Sequence, residues 1–126
     1  MNITQEILSD IVVYNKYAKY IPSKQRRETW EELVTRNKEM HQEKFPQLKE
    51  KIEDVYKMVY AKKVLPSMRS LQFAGKPIAI NNARIFNCSF LPIDDHRAFS
   101  ETMFLLLSGC GVGFSVQKHH IDKLPE

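Results

Sequence analysis

The chain has 126 residues, about one domain's worth by ordinary size. Hydrophobic residues make up 43% and charged residues 27%, which excludes collagen, wholesale disorder and a bundle of membrane spans. The formal net charge is +4, with bases and acids interleaved, so a solvated helical surface explains it better than a nucleic-acid face.

The longest apolar run, Met103 to Leu107, falls far short of the roughly 20 residues a membrane span needs. The opening residues show no basic stretch followed by an apolar core, so no export signal is expected. Cys88 and Cys110 are then expected as thiols in a reducing cytoplasm. Neither belongs to a CxxC pair, and no Cys/His grouping has zinc spacing.

Apolar residues at Ile7, Leu8, Ile11, Val12, Tyr14 and Tyr17 predict a helix from Thr4 to about Tyr20, ended by Pro22. Thr29-Trp30-Glu31-Glu32 has the form of a capping box. The helix it opens should bury Trp30, Leu33, Val34 and Met40. Pro46 suits the first turn of the next helix, where its missing N–H costs nothing. Leu48, Ile52, Val55, Tyr56 and Val59 mark one face of that helix, which should run to about Lys63.

Beyond Pro66 the pattern changes. Residues 66–70 read as a loop, and Ala83 to Leu91 as a buried strand closed by Pro92. Asp94 or Asp95 can cap a helix from His96 to Ser108. Gly109 stops it, and Val112 to Val116 reads as a second strand. The β–α–β order predicts a parallel pair with a helical crossover. Composition places the division at 63/64: residues 1–63 contain no glycine, and residues 64–126 hold all four glycines and both cysteines.

Two features carry candidate chemistry. Three of the four glycines lie in Gly109-Cys110-Gly111-Val112-Gly113, dense enough for backbone to pass close to a ligand or another segment. The plainer reading is a helix C-cap followed by a tight turn into a strand. A phosphate cradle of the usual kind follows a strand and opens a helix, the reverse of the order here. Cys88, expected at the centre of a buried strand, is either a small core hydrophobe or a redox thiol. His96, His119 and His120 are possible bases for it. Asn87-Cys88-Ser89 also matches a glycosylation acceptor, which an unexported chain would not use.

Three runs, in this order and spacing, resemble the large catalytic subunit of ribonucleotide reductase. They are Leu65-Pro66-Ser67-Met68-Arg69-Ser70-Leu71-Gln72-Phe73-Ala74-Gly75, then Asn87-Cys88-Ser89-Phe90, then Ser108-Gly109-Cys110-Gly111-Val112-Gly113-Phe114-Ser115. With the stretch from Tyr20 to Glu32, the resemblance is nearest to the monomeric, adenosylcobalamin-dependent class II ribonucleoside-triphosphate reductases.

The resemblance implies an α+β or α/β chain. Residues 1–63 would be an N-terminal helical region. Residues 64–126 would begin a ten-stranded reductase barrel that stays incomplete in this chain. Cys88 matches a cysteine that reduces the ribose 2′ position and ends in a disulfide with a cysteine from a later strand. Asn87 and Ser89 would line the substrate, as would Gly109, Gly111 and Gly113. Arg69 and Ser70 would lie in a loop near the substrate phosphates, where a guanidinium suits phosphate oxygens. The family more often has glycine where this chain has Cys110.

The implied function is reduction of ribonucleotides to deoxyribonucleotides by thiol and radical chemistry, as part of a larger assembly. The implied partners are the ribonucleotide, the remaining reductase polypeptide carrying the radical cysteine, and a thioredoxin-type reductant. Adenosylcobalamin would be bound mainly outside this chain, and no nucleic-acid or membrane partner is expected. The polypeptide contact is expected around Phe86, Phe90, Phe104 and Leu106. Two other readings compete. One is a non-catalytic helical module binding protein or nucleic acid, and the other is an independent thiol enzyme pairing Cys88 with His119 or His120.

Overall fold

The computed structural model describes residues 3–125. The chain divides into two units, one up to Lys76 and one from Pro77.

The first unit opens with α1 (Ile3–Lys16). It stops before Tyr20 because the amides of Tyr17 and Ala18 both turn back to the Val13 carbonyl, at 3.0 and 2.9 Å. The chain then forms a small hairpin. β1 (Tyr20–Ile21) pairs antiparallel with β2 (Arg26–Arg27) around a 3-10 turn at Pro22–Lys24. Two-residue strands leave no alternation to read in a sequence.

The expected capping box opens α2 (Trp30–Lys44). The Glu32 amide donates to Thr29 Oγ1 at 3.3 Å, and the Thr29 amide donates to Glu32 Oε2 at 2.9 Å. Arg26 and Lys24 also donate to the Glu32 carboxylate. A 3-10 turn at Pro46–Leu48 leads into α3 (Lys49–Tyr60). Val34, Tyr56 and Val59 form the core between α2 and α3, with Trp30, Ile52 and Tyr60 packed against it. The expected α3 stripe is therefore only partly the buried one, since Leu48 and Val55 are exposed. α3 also ends short of Lys63, because Lys62 turns into the left-handed region at φ 55°.

Residues 66–70 are not all loop. α4 (Met68–Phe73) starts after extended Ser67, with the Leu71 amide donating to the Ser67 carbonyl at 3.0 Å. Six residues are too few to show a helical period. Bonds from Arg36 and Asn37 of α2 tie α4 to the first unit, so the structural division falls at Lys76/Pro77 and not at the change in composition.

α5 (Lys76–Ile80) opens at that division. The expected strand from Ala83 begins only at Cys88. Asn81 caps a 3-10 turn over Asn82–Ile85, its side chain accepting from the Ala83 amide at 3.0 Å. β3 (Cys88–Pro92), α6 (Arg97–Leu107) and β4 (Gly111–Ser115) then form the expected parallel unit. Asp95 accepts from the Arg97 amide at 2.7 Å at the start of α6. α6 is closed by Gly109 at φ +86°, the left-handed conformation glycine adopts without strain. The Gly109 amide donates to Leu106 and the Cys110 amide to Leu105, a Schellman closure. Leu91, Ile93 and Ala98 form the core here, joined by Leu105, Val112 and Leu124. Leu124 follows α7 (Lys118–Ile121).

Candidate functional site

Register decides what the two strands present. Cys88 pairs with Gly111, Ser89 with Val112, Phe90 with Gly113 and Leu91 with Phe114. Successive side chains point to opposite faces of a sheet. Leu91 and Val112 pack under α6, so Ser89 shares their face. Cys88, Phe90, Gly111 and Gly113 share the other, and all four are exposed.

Cys88 is thus neither central nor buried. It is the first residue of β3, with its thiol on the bare face. Beside it the β4 half of that face is a floor of glycine. A Cβ on Gly111 would meet only the Asn87 carbonyl oxygen, at 3.6 Å. A Cβ on Gly113 would meet Phe90 Cδ2 at 3.6 Å and the Ser89 carbonyl oxygen at 3.7 Å. These are ordinary contacts, so nothing in the described chain requires glycine at 111 or 113. Gly109 is different, because the helix closure accounts for it.

Asn87 holds the start of the pair, its carbonyl accepting the Gly111 amide at 2.8 Å. Cys110 is buried on the helix-covered side at 3% exposure, and its thiol donates to Ser89 Oγ at 3.3 Å. Ser89 is thereby occupied on the face opposite Cys88. Phe90, not among the expected site residues, lies beside Cys88 on the bare face at 67% exposure.

Arg69 and Ser70 belong to the first unit. Ser70 is 6% exposed and accepts from Asn37 Nδ2 at 2.8 Å, a packing role. Asn37 in turn accepts from the Tyr56 hydroxyl. Burial pushes the Tyr56 phenol up to about 12. Arg69 is half-buried, with its guanidinium 5.6 Å from the centre of the Phe73 ring.

The thiol–histidine reading fails on position. His120 Nδ1 lies 3.0 Å from Ser115 Oγ, and its ring centre is 3.9 Å from that of His119, the two rings tilted at 52°. Ser115 ends the strand that Gly111 begins, and Cys88 sits opposite Gly111. Four strand steps separate them, about 13 Å, too far for a base to take the thiol proton. His96, before α6, likewise follows the far end of β3.

No protein-family model matches the chain. The adenosylcobalamin-dependent ribonucleoside-triphosphate reductase of Lactobacillus helveticus is 28% identical over 149 aligned residues, covering 91% of this chain and 20% of the reductase. The Lacticaseibacillus paracasei protein of the same name is also 28% identical, covering 90% and 20%. A crystal structure of a B12-dependent class II ribonucleotide reductase superposes with a TM-score of 0.81. Its sequence is 27% identical, and the match covers 92% of this chain and 21% of that one. The chain is similar to one segment of the class II ribonucleotide reductases. It spans about a fifth of the length of the curated relatives it matches. The aligned stretch is longer than the chain itself, so the relatives carry residues within it that this reductase-like segment lacks. No helix among the described residues is long and apolar enough to cross a membrane.

Proposed function

We propose that this chain is the N-terminal part of a ribonucleotide reductase and supplies one reducing thiol and part of the substrate floor. The observation that carries the reading is the exposed Cys88 thiol beside two glycines that the chain's own packing does not require. A sugar and its phosphates could lie flat on that floor, with the 2′ carbon beside the sulfur. Asn87, Ser89 and Gly109 would hold the floor's shape through the backbone and helix-end bonds described above.

The chemistry balances with one further thiol. The ribose 2′ hydroxyl leaves as water and the carbon receives hydrogen. Two electrons come from Cys88 and a cysteine on the remaining reductase polypeptide, which join as a disulfide. A thioredoxin-type dithiol then reduces that disulfide. The radical cysteine and the strands that complete a ten-stranded barrel would come from the same polypeptide. Adenosylcobalamin would initiate the radical there. The bare face here, a thiol, a phenyl ring and glycines, does not fit a corrinoid. Among the described residues no group of three or more His, Cys, Asp or Glu could hold a metal ion. The polypeptide would cover the exposed Phe86, Phe90, Phe104 and Leu106. Cytoplasmic reduction would keep the thiol available.

The test is Cys88→Ser in the chain assembled with the polypeptide that co-purifies with it. Multiple turnover should be lost, since serine cannot form the disulfide. Full turnover by that variant would remove Cys88 from the redox step.

A further inference from the structure

Cys88 and Gly111 face each other across the parallel pair, but they reach it along two different limbs of the second unit. Residues 81–87 follow α5 and lead into β3. Residues 108–110 leave α6 and lead into β4. The limbs are tied together at both ends. Beside the strands, the Gly111 amide donates to the Asn87 carbonyl at 2.8 Å. Away from the strands, Asn81 Nδ2 donates to Ser108 Oγ at 3.1 Å.

Between those ties neither limb is slack. Asn81 uses both halves of its side-chain amide. Its Oδ1 accepts from the Ala83 amide at 3.0 Å, which turns Nδ2 towards Ser108. The Arg84 amide donates to the Asn81 carbonyl at 3.3 Å and the Phe86 amide to the Ala83 carbonyl at 3.1 Å, so the first limb is one tight turn. On the second limb the Ser108 amide donates to the Phe104 carbonyl at 3.0 Å, and the helix closure at Gly109 and Cys110 sets the rest. Two stiff limbs joined at both ends make a closed frame, and Cys88 is the first residue beyond it.

We infer that Asn81 is a positioning residue, which braces the turn ahead of Cys88 against the end of α6 and so fixes the thiol beside Gly111. The inference rests on the reducing role proposed for Cys88. Asn81 acts through the placement of that thiol, and a misplacement of about 1 Å can cost roughly 10²-fold in rate.

Two measurements test this. Ser108→Ala cuts the brace and leaves the Asn81 bond to the Ala83 amide intact. In the full chain it should speed exchange of the Gly111 amide by about tenfold. The Ile93 amide, which donates to the Ser115 carbonyl at 2.9 Å beyond the far end of the pair, should keep its protection. In the assembled enzyme Ser108→Ala should lower kcat for the ribonucleotide by about tenfold and leave KM within about twofold. Asn81→Asp should hold kcat within about twofold of the native value, because a carboxylate still accepts from Ala83 and can also accept from the Ser108 hydroxyl. Equal loosening at Gly111 and Ile93 would overturn the brace, as would unchanged exchange at both. So would an unchanged kcat for Ser108→Ala beside a Cys88→Ser variant that has lost turnover. Full turnover by Cys88→Ser would instead overturn the reducing role on which the inference stands.

Discussion

In the first unit the polar groups that packing removes from water find partners inside the unit. Asn37, fully buried, joins the Tyr56 hydroxyl to Ser70, and Glu28 joins Arg36 to the hairpin. In the second unit the imbalance is apolar. α6 turns Ala98 and Leu105 to the sheet, yet Phe99, Met103, Phe104, Leu106 and Leu107 are all exposed, Leu107 at 81%. An exposed apolar patch of this kind marks a surface meant for a partner. The first unit is thus distinguished by its paired buried polar groups, and the second by the open apolar surface of α6, although α1 of the first unit also leaves Ile3, Ile7, Leu8 and Ile11 exposed.

The contrast can be broken most sharply at Asn37. Asn37→Leu leaves the Tyr56 and Ser70 hydroxyls buried without their partner. Each stranded group costs about 1–3 kcal/mol. Urea unfolding should show the loss with an unchanged slope. If stability were unaffected, the polar network would not be what holds α3 and α4 to α2.

A smaller effect is expected at the capping box. Thr29→Ala should cost about 1 kcal/mol. Hydrogen bonds from Arg26 first, then Lys24 and the Thr29 amide, hold the Glu32 carboxyl far below the usual carboxylate range. The folded value lies below the unfolded one, so the contribution is fully present above about pH 4.3. It fades only as pH falls further, through the depressed folded value. Unfolding measured from pH 6 down to 2 should show this loss for the native chain and not for Glu32→Gln.

What was legible in the sequence follows the range of the interactions. The capping box is readable because its partners are three residues apart. The β–α–β unit is readable because Gly109 and the helical period sit next to the strands they connect. α4 is not readable, because Arg36 and Asn37, more than thirty residues earlier, hold it. The exposure of Cys88 was missed for another reason. Cys88 and Phe90 on one face are as apolar as Leu91 on the other, so alternation alone does not say which side the helix covers. The same ambiguity hid Phe90 as a neighbour of the thiol, and it hid the packing role of Ser70, whose partner lies in a distant helix.

The finest test of the contrast is Gly113→Ala. Glycine within a strand costs roughly 0.5–1 kcal/mol relative to alanine, because it loses more backbone freedom on folding. The new methyl would stand 3.6 Å from Phe90 Cδ2, an ordinary contact. The isolated chain should therefore be as stable as before, or more stable by about 0.5 kcal/mol, read from its thermal unfolding. The methyl would nevertheless rise from the floor beside Cys88. In the assembled enzyme it should lower kcat/KM for the ribonucleotide by about tenfold or more, because a reacting group displaced by a fraction of its contact distance loses its alignment. A variant more stable and fully active would make Gly113 an accident of the strand. A variant equally stable and impaired would place the cost of the methyl in whatever lies on that face of β3 and β4.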